Sequence, residues 1–297
     1  YGATGNPSIG AYSTLSRFSE IYYVSGDVIT NAVQLTSLDN PNLKWETSYQ
    51  QDYGIDLGLF DNRISITADY YKTITKDLLF NRPLPGISGI ASQLQNVGEL
   101  ENKGWELGIN TRNFIGSDFT WSTNFNISSN KNKVLKLADN KDLLINSAPG
   151  HFLATESQIL RVGQPVGSFF GFIYDGVIQQ GEAVLPGNFE TVAGGEKFRD
   201  VNGDGKLDSQ DKTIIGNPNP DFIFGFNNDF TYKNLDLNIF FQGSQGGQIL
   251  NYTLMELASG NNNATTEVLD AWTPTHTDTN VPANAARTKR ITSRFVY

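Results

Sequence analysis

Cysteine is absent from this 297-residue sequence, and methionine occurs once. The lack of cysteine excludes disulfide bridges and thiolate metal sites. No run of about 20 consecutive apolar residues occurs, which excludes a transmembrane helix. Histidine is found only at His151 and His276, and neither lies in a zinc-ligand spacing or beside a recognisable nucleophile.

Positive charge is also scarce, with 22 Lys and Arg against 31 Asp and Glu and a formal net charge of −9. A phosphate backbone is repelled by this balance, so we expect no nucleic-acid partner. Phosphate-binding glycine loops are missing. Carboxylate pairs such as Asp52 and Asp56 resemble a glycosidase dyad, but a solvated pair on one strand face is the favoured interpretation. The sequence predicts a protein that is not an enzyme.

Aromatic residues and glycine are plentiful, with 19 Phe, 12 Tyr and 29 Gly, a composition typical of β-rich proteins. Six segments alternate apolar and polar residues with a period of two, which predicts strands with one apolar and one wet face. The segments are 52–60, 64–71, 104–110, 119–127, 221–230 and 235–242.

The connections between these segments distinguish two folds. Tight turns join the members of each hairpin, at 61–62, 113–118 and 233–234. Long connections separate the hairpins, from 72 to 104, across 128–219, and onward from 243. Short turns at one rim and long loops at the other are typical of outer-membrane barrels, whereas compact sandwiches rarely carry such loops. The prediction is therefore an all-β fold, a transmembrane antiparallel β-barrel fragment of about six strands in three hairpins. The alternative is a soluble or surface-attached, calcium-stabilised β-sandwich that binds glycans.

In a barrel the apolar faces contact outer-membrane lipid and the polar faces line the lumen. The candidate lumen residues that could contact a substrate are Asp52, Asp56, Asp69, Glu106, Asn124, Asn126, Asp236 and Asn238. Asn228 interrupts the pattern, because it falls on the apolar face between Phe226 and Phe230. We expect it either to lie at the membrane interface or to mark a β-bulge that shifts the register.

Segment 200–211 carries the one pattern that points to metal chemistry. Oxygen-bearing side chains occupy loop positions 1, 3, 5, 9 and 12, and Gly205 occupies position 6, where a calcium loop turns sharply. Lys206 at position 7 would offer its backbone carbonyl, and Leu207 at position 8 would anchor the loop on apolar neighbours. The predicted calcium ligands are Asp200, Asn202, Asp204, Lys206, Asp208 and Asp211. Asp211 stands where the EF-hand pattern has Glu, and the alternative is a polar turn without metal.

The two long segments 128–219 and 243–290 are predicted to be extracellular loops, and the second contains two short helical patterns, near 249–257 and 265–272. The stretch 248–272 is a candidate docking surface for a partner protein. A basic cluster of Arg287, Lys289, Arg290 and Arg294 could contact lipopolysaccharide phosphates or an acidic partner. The favoured interpretation of this cluster is a solvated loop base with local salt bridges.

Several stretches resemble the SusC/RagA family of TonB-dependent transporters, in the family's order and over nearly the whole length. These stretches are NPNLKWET at 40–47, GLFDNRI at 58–64, ENKGWE at 101–106, FRDVNGDGKLD at 198–208, TIIGNPNPD at 213–221, DLNIFFQG at 236–243 and ITSRFV at 291–296.

The resemblance implies a 22-stranded barrel with an N-terminal plug in the outer membrane of a Bacteroidota-type bacterium. It further implies a SusD-like surface lipoprotein as partner, and import of oligosaccharides or peptides driven by TonB and the proton-motive force. By this likeness the whole of 1–297 belongs to the barrel domain, and the six strands correspond to about the fourteenth to nineteenth. We expect the sequence to be an excerpt, because plug, TonB-contacting region and last strands are missing, and six strands alone leave two open edges.

Overall fold

The computed structural model describes residues 1–7, 9–90, 92–145, 156–258, 264–283 and 290–297, and shows an all-β chain with a single short α-helix within those ranges. The strands are β1 Gly2–Asn6, β2 Arg17–Ser25, β3 Val28–Ser37, β4 Glu46–Leu59, β5 Ile64–Pro83, β6 Ser92–Ile115, β7 Phe119–Lys136, β8 Leu143–Ile145, β9 Gln158–Leu160, β10 Ser168–Gly171, β11 Tyr174–Val177, β12 Glu196–Phe198, β13 Thr213–Gly216, β14 Phe222–Tyr232 and β15 Leu235–Gln245; the helix is α1 Tyr252–Ala258. His151, Arg287 and Lys289 lie outside the described residues.

The chain divides into two compact units, the first made of 1–142, 161–164 and 222–244. Its main element is a seven-stranded antiparallel sheet in the order β1-β4-β5-β6-β7-β14-β15. All six strands predicted from the alternation lie in this sheet, which confirms the barrel fragment. The seventh, β1, could not be predicted, because its five residues contain no alternating apolar positions.

The strands differ from the prediction in length. The alternating segments 64–71, 104–110 and 119–127 are much shorter than the strands that contain them, since β5 has 20 residues, β6 has 24 and β7 has 18. The prediction of a long loop from 72 to 104 is therefore wrong for most of that segment. Most of it continues β5 and β6 as a paired ribbon, in which Leu79 faces Asn96 and Arg82 faces Gln93. Likewise, the first residues of the predicted loop 128–219 extend β7 to Lys136.

The tight turns contain residues with a positive φ, among them Asp61 and Asn62. Phe60, Asp61 and Asn62 have φ values of 55°, 56° and 59° between β4 and β5, and Lys233 has 54° between β14 and β15. Asn and Asp adopt this left-handed region at lower cost than other non-glycine residues. These turns bring consecutive strands together in register and confirm the predicted hairpins.

The apolar face of the main sheet is uncovered within this unit. Leu57, Ile239 and Phe241 are exposed although they alternate with polar residues along their strands. A β-sandwich would interleave these side chains with those of a second sheet. The sandwich alternative is therefore rejected for the described part of the unit. A separate two-stranded hairpin, β2–β3, lies in the segment between β1 and β4.

The second unit comprises 143–160, 165–221 and 245–297. It contains a four-stranded sheet, β13-β10-β9-β8, and the pair β11–β12. A core cluster joins the sheet to α1 and the last residues; its buried members are Phe169, Leu250, Met255, Ala258, Ile291 and Phe295. Both segments predicted to be helical contain helical turns. The first is the α-helix α1, and the second is a shorter 3-10 turn at Thr266–Asp270. Among the described residues, none of the helices has the length and apolarity to cross a membrane.

Candidate functional site

The eight candidate lumen residues share one face of the main sheet. Directly opposed residues of antiparallel strands point to the same side. The register opposes Asp69 to Glu106, and Asn124 to Asn227, so neighbouring strands carry their polar residues on a common surface. Asp56 and Asn126 are exposed on this surface. The structure confirms the shared face, and the role of each residue toward a substrate stays a prediction.

Hydrogen bonds connect the polar face across the strands. Thr67 Oγ1 donates to Asp56 Oδ1 over 2.8 Å, and Thr231 Oγ1 donates to Asp236 Oδ1 over 2.8 Å. Asn238 Nδ2 donates to Asn227 Oδ1 at 2.8 Å and to Asp229 Oδ1 at 2.5 Å. These amide and carboxylate groups form a wet surface of donors and acceptors. Asn227 and Asp229 belong to it by the same alternation that identified the other candidates.

The opposite, apolar face carries two rows of aromatic rings. In the first row, Tyr53 faces Tyr70 on the neighbouring strand and Tyr70 faces Trp105 on the next. All three rings are exposed. Tyr and Trp are enriched where a membrane protein meets the lipid–water interface, because their rings are apolar and carry a polar group.

The second aromatic row lies toward the tight turns. Trp121 stacks on Phe230 with ring centroids 5.6 Å apart, and Phe114 lies 5.5 Å from Phe119. Trp105 is paired with Ser129, eight residues along β7 from Trp121. At about 3.4 Å per residue the two rows are roughly 27 Å apart along the strand. With the strands tilted by about 40°, this corresponds to a height of roughly 21 Å, close to the apolar band of an outer-membrane barrel, which is about 25 Å tall.

Asn228 lies on this apolar face next to Trp121 of the second aromatic row, and no bulge accounts for it. The pairing of β14 with β7 runs through Asn228 opposite Thr123 without a register shift. The side chain is buried, and its Oδ1 accepts hydrogen bonds from Trp121 Nε1 at 3.0 Å and Thr123 Oγ1 at 2.7 Å. The bulge prediction is therefore wrong. The amide is tolerated because neighbouring side chains satisfy its oxygen.

Loop 200–211 adopts the turn that its glycines predict. Gly203 and Gly205 have φ values of 77° and 80°. Asp200 accepts the backbone N–H groups of both glycines, at 2.7 and 2.8 Å. Leu207 is buried against Phe172 and Phe198, which confirms the apolar anchor expected at loop position 8.

Asp211 closes the loop. Its side chain is fully buried, with Oδ1 accepting Val201 N–H at 2.9 Å and Oδ2 accepting Asp208 N–H at 2.8 Å. Burial alone would raise the pKa of Asp211, but the backbone donors outweigh it, so the pKa lies below its usual value. The shorter carboxylate thus joins the two ends of the loop through backbone hydrogen bonds.

Lys206 supplies a positive charge inside the same loop. Its Nζ lies 2.8 Å from Asp208 Oδ2 and 3.6 Å from Asp204 Oδ2. The hydrogen bond to Asp208 and the two carboxylate charges raise the pKa of Lys206. Across the described ranges, no three His, Cys, Asp or Glu side chains converge as a ready-made metal site. Calcium binding by this loop stays a prediction.

The described residues of the basic cluster, Arg290 and Arg294, are not both exposed to solvent. Arg294 is nearly buried, and its Nη2 lies 2.8 Å from Glu267 Oε1 while its Nη1 lies 3.9 Å from Glu196 Oε1. The expected salt bridges are therefore confirmed for Arg294, and its expected solvation is wrong. Arg290 stacks its guanidinium 3.5 Å from the centroid of the Phe189 ring.

His276 contacts a carboxylate. Its Nε2 lies 2.8 Å from Asp270 Oδ1, and Thr279 Oγ1 donates to Asp270 Oδ2 at 3.0 Å. The hydrogen bonds from His276 and Thr279 lower the pKa of Asp270. This exposed group stabilises the turn after the 3-10 segment Thr266–Asp270.

Comparison with known proteins gives a family match over most of the chain. A family model described as TonB dependent receptor-like, beta-barrel, matches residues 4–273. TonB-dependent receptor P3 of Formosa agariphila is 57% identical over the whole of this chain, which covers 30% of that protein. TonB-dependent receptor SusC of Bacteroides thetaiotaomicron is 31% identical over 91% of this chain and 26% of its own length.

Solved structures show the same fold. The structure of the RagAB peptide transporter superposes with a TM-score of 0.78 at 24% identity, over 99% of this chain and 32% of that chain. The RagAB peptide importer in its open-open state gives a TM-score of 0.77. This chain spans about 30% of the length of the proteins it matches.

Proposed function

Since the chain belongs to the TonB-dependent receptor β-barrel family, we propose that the protein takes up oligosaccharides or peptides across the outer membrane by a TonB-dependent process. TonB-dependent receptors are transporters and not enzymes, in agreement with the missing acid–base machinery. The chain contributes a section of barrel wall with its outer loops. A RagAB peptide transporter among the structural neighbours supports peptides as one of the two cargo classes.

The two-faced main sheet carries this proposal. One face exposes aliphatic side chains between two aromatic rows, and the other carries Asp56, Asn124 and Asn238. A sheet of this kind is stable when hydrocarbon covers the first face and water wets the second. A wet inner wall gives a polar solute hydrogen-bonding partners on its way through the membrane.

Uptake in whole cells tests the proposal. Cells that express the full-length receptor are compared with cells lacking it, using radiolabelled oligosaccharides and peptides. We expect accumulation that depends on the receptor and disappears with a protonophore or after deletion of tonB. Accumulation that continues without TonB and the proton-motive force would contradict the proposal.

We also propose that a SusD-like lipoprotein docks on the second unit. Leu269 is 83% exposed in the 3-10 turn, and Ile249 is 70% exposed just before α1. Large apolar side chains at such exposure suit a protein interface. Substituting Leu269→Asp should abolish co-purification of the lipoprotein without changing the thermal stability of the receptor. The matched control is Leu144→Asp, which changes another exposed aliphatic residue of the same unit. If the Leu269→Asp receptor still co-purifies with the lipoprotein, the proposed docking surface is wrong.

A third proposal assigns calcium to loop 200–211. Asp200, Asn202, Asp204 and Asp208 supply oxygens, Lys206 its carbonyl, and Asp211 is the sixth predicted ligand. A divalent ion would displace the ammonium of Lys206 from the carboxylates of Asp204 and Asp208. Calcium at millimolar concentration should protect the loop from protease, and chelator or Asp204→Asn should remove the protection. Cleavage that is indifferent to calcium would overturn the proposal.

A further inference from the structure

The second unit contains a cavity of about 340 Å³ that was not predicted from the sequence. A volume of a few hundred Å³ is that of small-molecule sites in proteins. Residues from separate parts of the unit line it: Glu156, Phe172, Phe189, Asp208, Ser209, Lys212, Arg290 and Ile291. Backbone bonds between Phe172 and its neighbours Ile291 and Ser293, each of 3.0 Å, hold two of these parts together.

Aromatic rings give the cavity an apolar side. Phe172 and Phe189 meet edge to face with centroids 5.2 Å apart, and both contact Phe198. Phe172 and Phe198 belong to the buried core cluster with Leu207. Because Phe172 is buried in this cluster, its position does not depend on a ligand. The cavity wall is therefore preorganised.

Two cations stand against these rings. The Arg290 guanidinium lies 3.5 Å from the centroid of Phe189, and Lys212 Nζ lies 5.6 Å from that of Phe172. Stacking on a ring holds a guanidinium in place while its N–H groups remain directed along its edge. Burial lowers the pKa of Arg290, but an arginine stays protonated at neutral pH.

Neither cation forms an ion pair with the acidic residues of the described chain, in which every Asp and Glu is included. Of the two carboxylates that line the cavity, Asp208 is paired with Lys206 at 2.8 Å. The lining therefore holds two cations and two carboxylates, and neither cation is neutralised by a direct ion pair with a described residue.

We propose that this cavity binds a ligand through a carboxylate, held by Arg290 and Lys212, with the body of the ligand packed on Phe172 and Phe189. Guanidinium and carboxylate match in a planar, two-bond geometry, and an ammonium adds a second charge-assisted bond. Two sources share this chemistry, an acidic sugar in an oligosaccharide and the free C-terminus of a peptide. The site is a binding site in its own right, and it can exist whether or not the protein imports the ligand.

Binding to the purified full-length receptor in detergent tests the site, measured by calorimetry with paired probes. Trigalacturonate is compared with its methyl ester, and the peptide Ala-Ala-Phe with its C-terminal amide. We expect at least one acid to bind about tenfold more tightly than its neutral counterpart, since charge-assisted bonds are lost in the ester and amide. The acid that binds identifies the source. Equal binding of acid and neutral forms, or no binding of either acid at millimolar concentration, would overturn the site.

Variants locate the binding. Lys212→Gln and Arg290→Gln should each remove most of the preference for the acid, and Arg290→Lys should lose part of it, because lysine lacks the planar fork. Arg199→Gln is the matched control, since Arg199 is paired with Asp175 outside the cavity. Lys212 is only partly buried, so its variant tests the site even where an Arg290 variant is unstable. Wild-type affinity for the acid in Lys212→Gln would refute the proposal, whereas loss of uptake with binding intact would bear only on the import function.

Discussion

The indole N–H of Trp121 donates a 3.0 Å hydrogen bond to Oδ1 of Asn228 on the apolar face of the main sheet. Thr123 donates to the same oxygen at 2.7 Å. An amide that would be costly next to lipid is therefore screened by its neighbours on β7. The indole at this rim fixes the position of a polar group as well as contributing to the aromatic row.

Removing the hydrogen-bond acceptor, Asn228, should lower the free energy of unfolding more than removing one of its two donors. We expect Trp121→Phe to lower the free energy of unfolding by about 1 kcal/mol, and Asn228→Leu by about 1–3 kcal/mol, since the latter leaves two donors without their acceptor. The double variant should lose less than the sum of the two. Heat-modifiable gel migration and denaturant unfolding of the refolded barrel measure these changes, and strictly additive losses would disprove the coupling.

Two glycines on the polar face of β6 should respond differently to the same substitution. A Cβ on Gly104 would lie 2.3 Å from the backbone oxygen of Ser129 and 2.6 Å from Tyr71 Oη, whereas one on Gly108 meets no atom within 4 Å. Gly104→Ala should destabilise the barrel by about 1–3 kcal/mol through overpacking. Gly108→Ala should be close to neutral. Equal unfolding midpoints for the two variants would contradict this.

Asp211 should make loop 200–211 sensitive to acid. Its pKa is lower in the folded loop than in an unfolded chain, where an Asp titrates near about 3.9. The contribution to stability is complete above that value and is lost as the pH falls from there through the folded pKa. Protease cleavage within the loop of the wild-type protein should increase as the pH falls below about 4. Asp211→Asn should be cleaved at every pH, and equal resistance of both proteins at neutral pH would refute the role.

Arg294 should be essential for folding of the second unit. Arg294→Met removes the 2.8 Å ion pair with Glu267 and the cation that lies 3.9 Å from the buried Glu196, and truncating one member of a buried pair costs about 3–5 kcal/mol. Arg294→Lys should recover part of this loss. Lys197→Met, which removes the partly exposed pair with Glu182, is the control and should cost less than about 1 kcal/mol. The stability of the second unit in each variant is measured by limited proteolysis. An Arg294→Met protein as resistant as the wild type would contradict the assignment.

The alternation of Ile55, Leu57 and Leu59 with Asp56 and Gly58 was enough to predict the strands, because a sheet with one apolar face imposes that period. The length of β5 and β6 was not predictable in this way. Beyond Tyr70 the alternation ends, since Leu78, Leu79 and Phe80 are consecutive apolar residues, while the backbone pairing of β5 with β6 continues. The composition of these outer parts of β5 and β6 resembles that of a loop, although the two strands remain hydrogen-bonded to each other.

The cavity of the second unit was hidden for a different reason. Phe172, Lys212 and Arg290 are far apart in sequence, and each has an ordinary explanation as core or surface residue when it is considered alone. Only tertiary packing brings them together. The calcium-type loop was visible because its spacing is local, yet the use of Asp211 as a backbone acceptor depends on the burial of its side chain.

The β5–β6 ribbon has a mechanical consequence. Ladder hydrogen bonds run from the barrel wall toward the exposed tip at Ile87 and change register only around Asp77, whose φ is 56°. The carbonyl of Asp77 accepts Asn96 Nδ2, and its carboxylate lies 3.6 Å from Lys44 Nζ, which braces the bend. The residues on both sides of this irregularity remain paired between β5 and β6, so the tip is joined to the wall by two hydrogen-bonded strands and not by an unpaired loop.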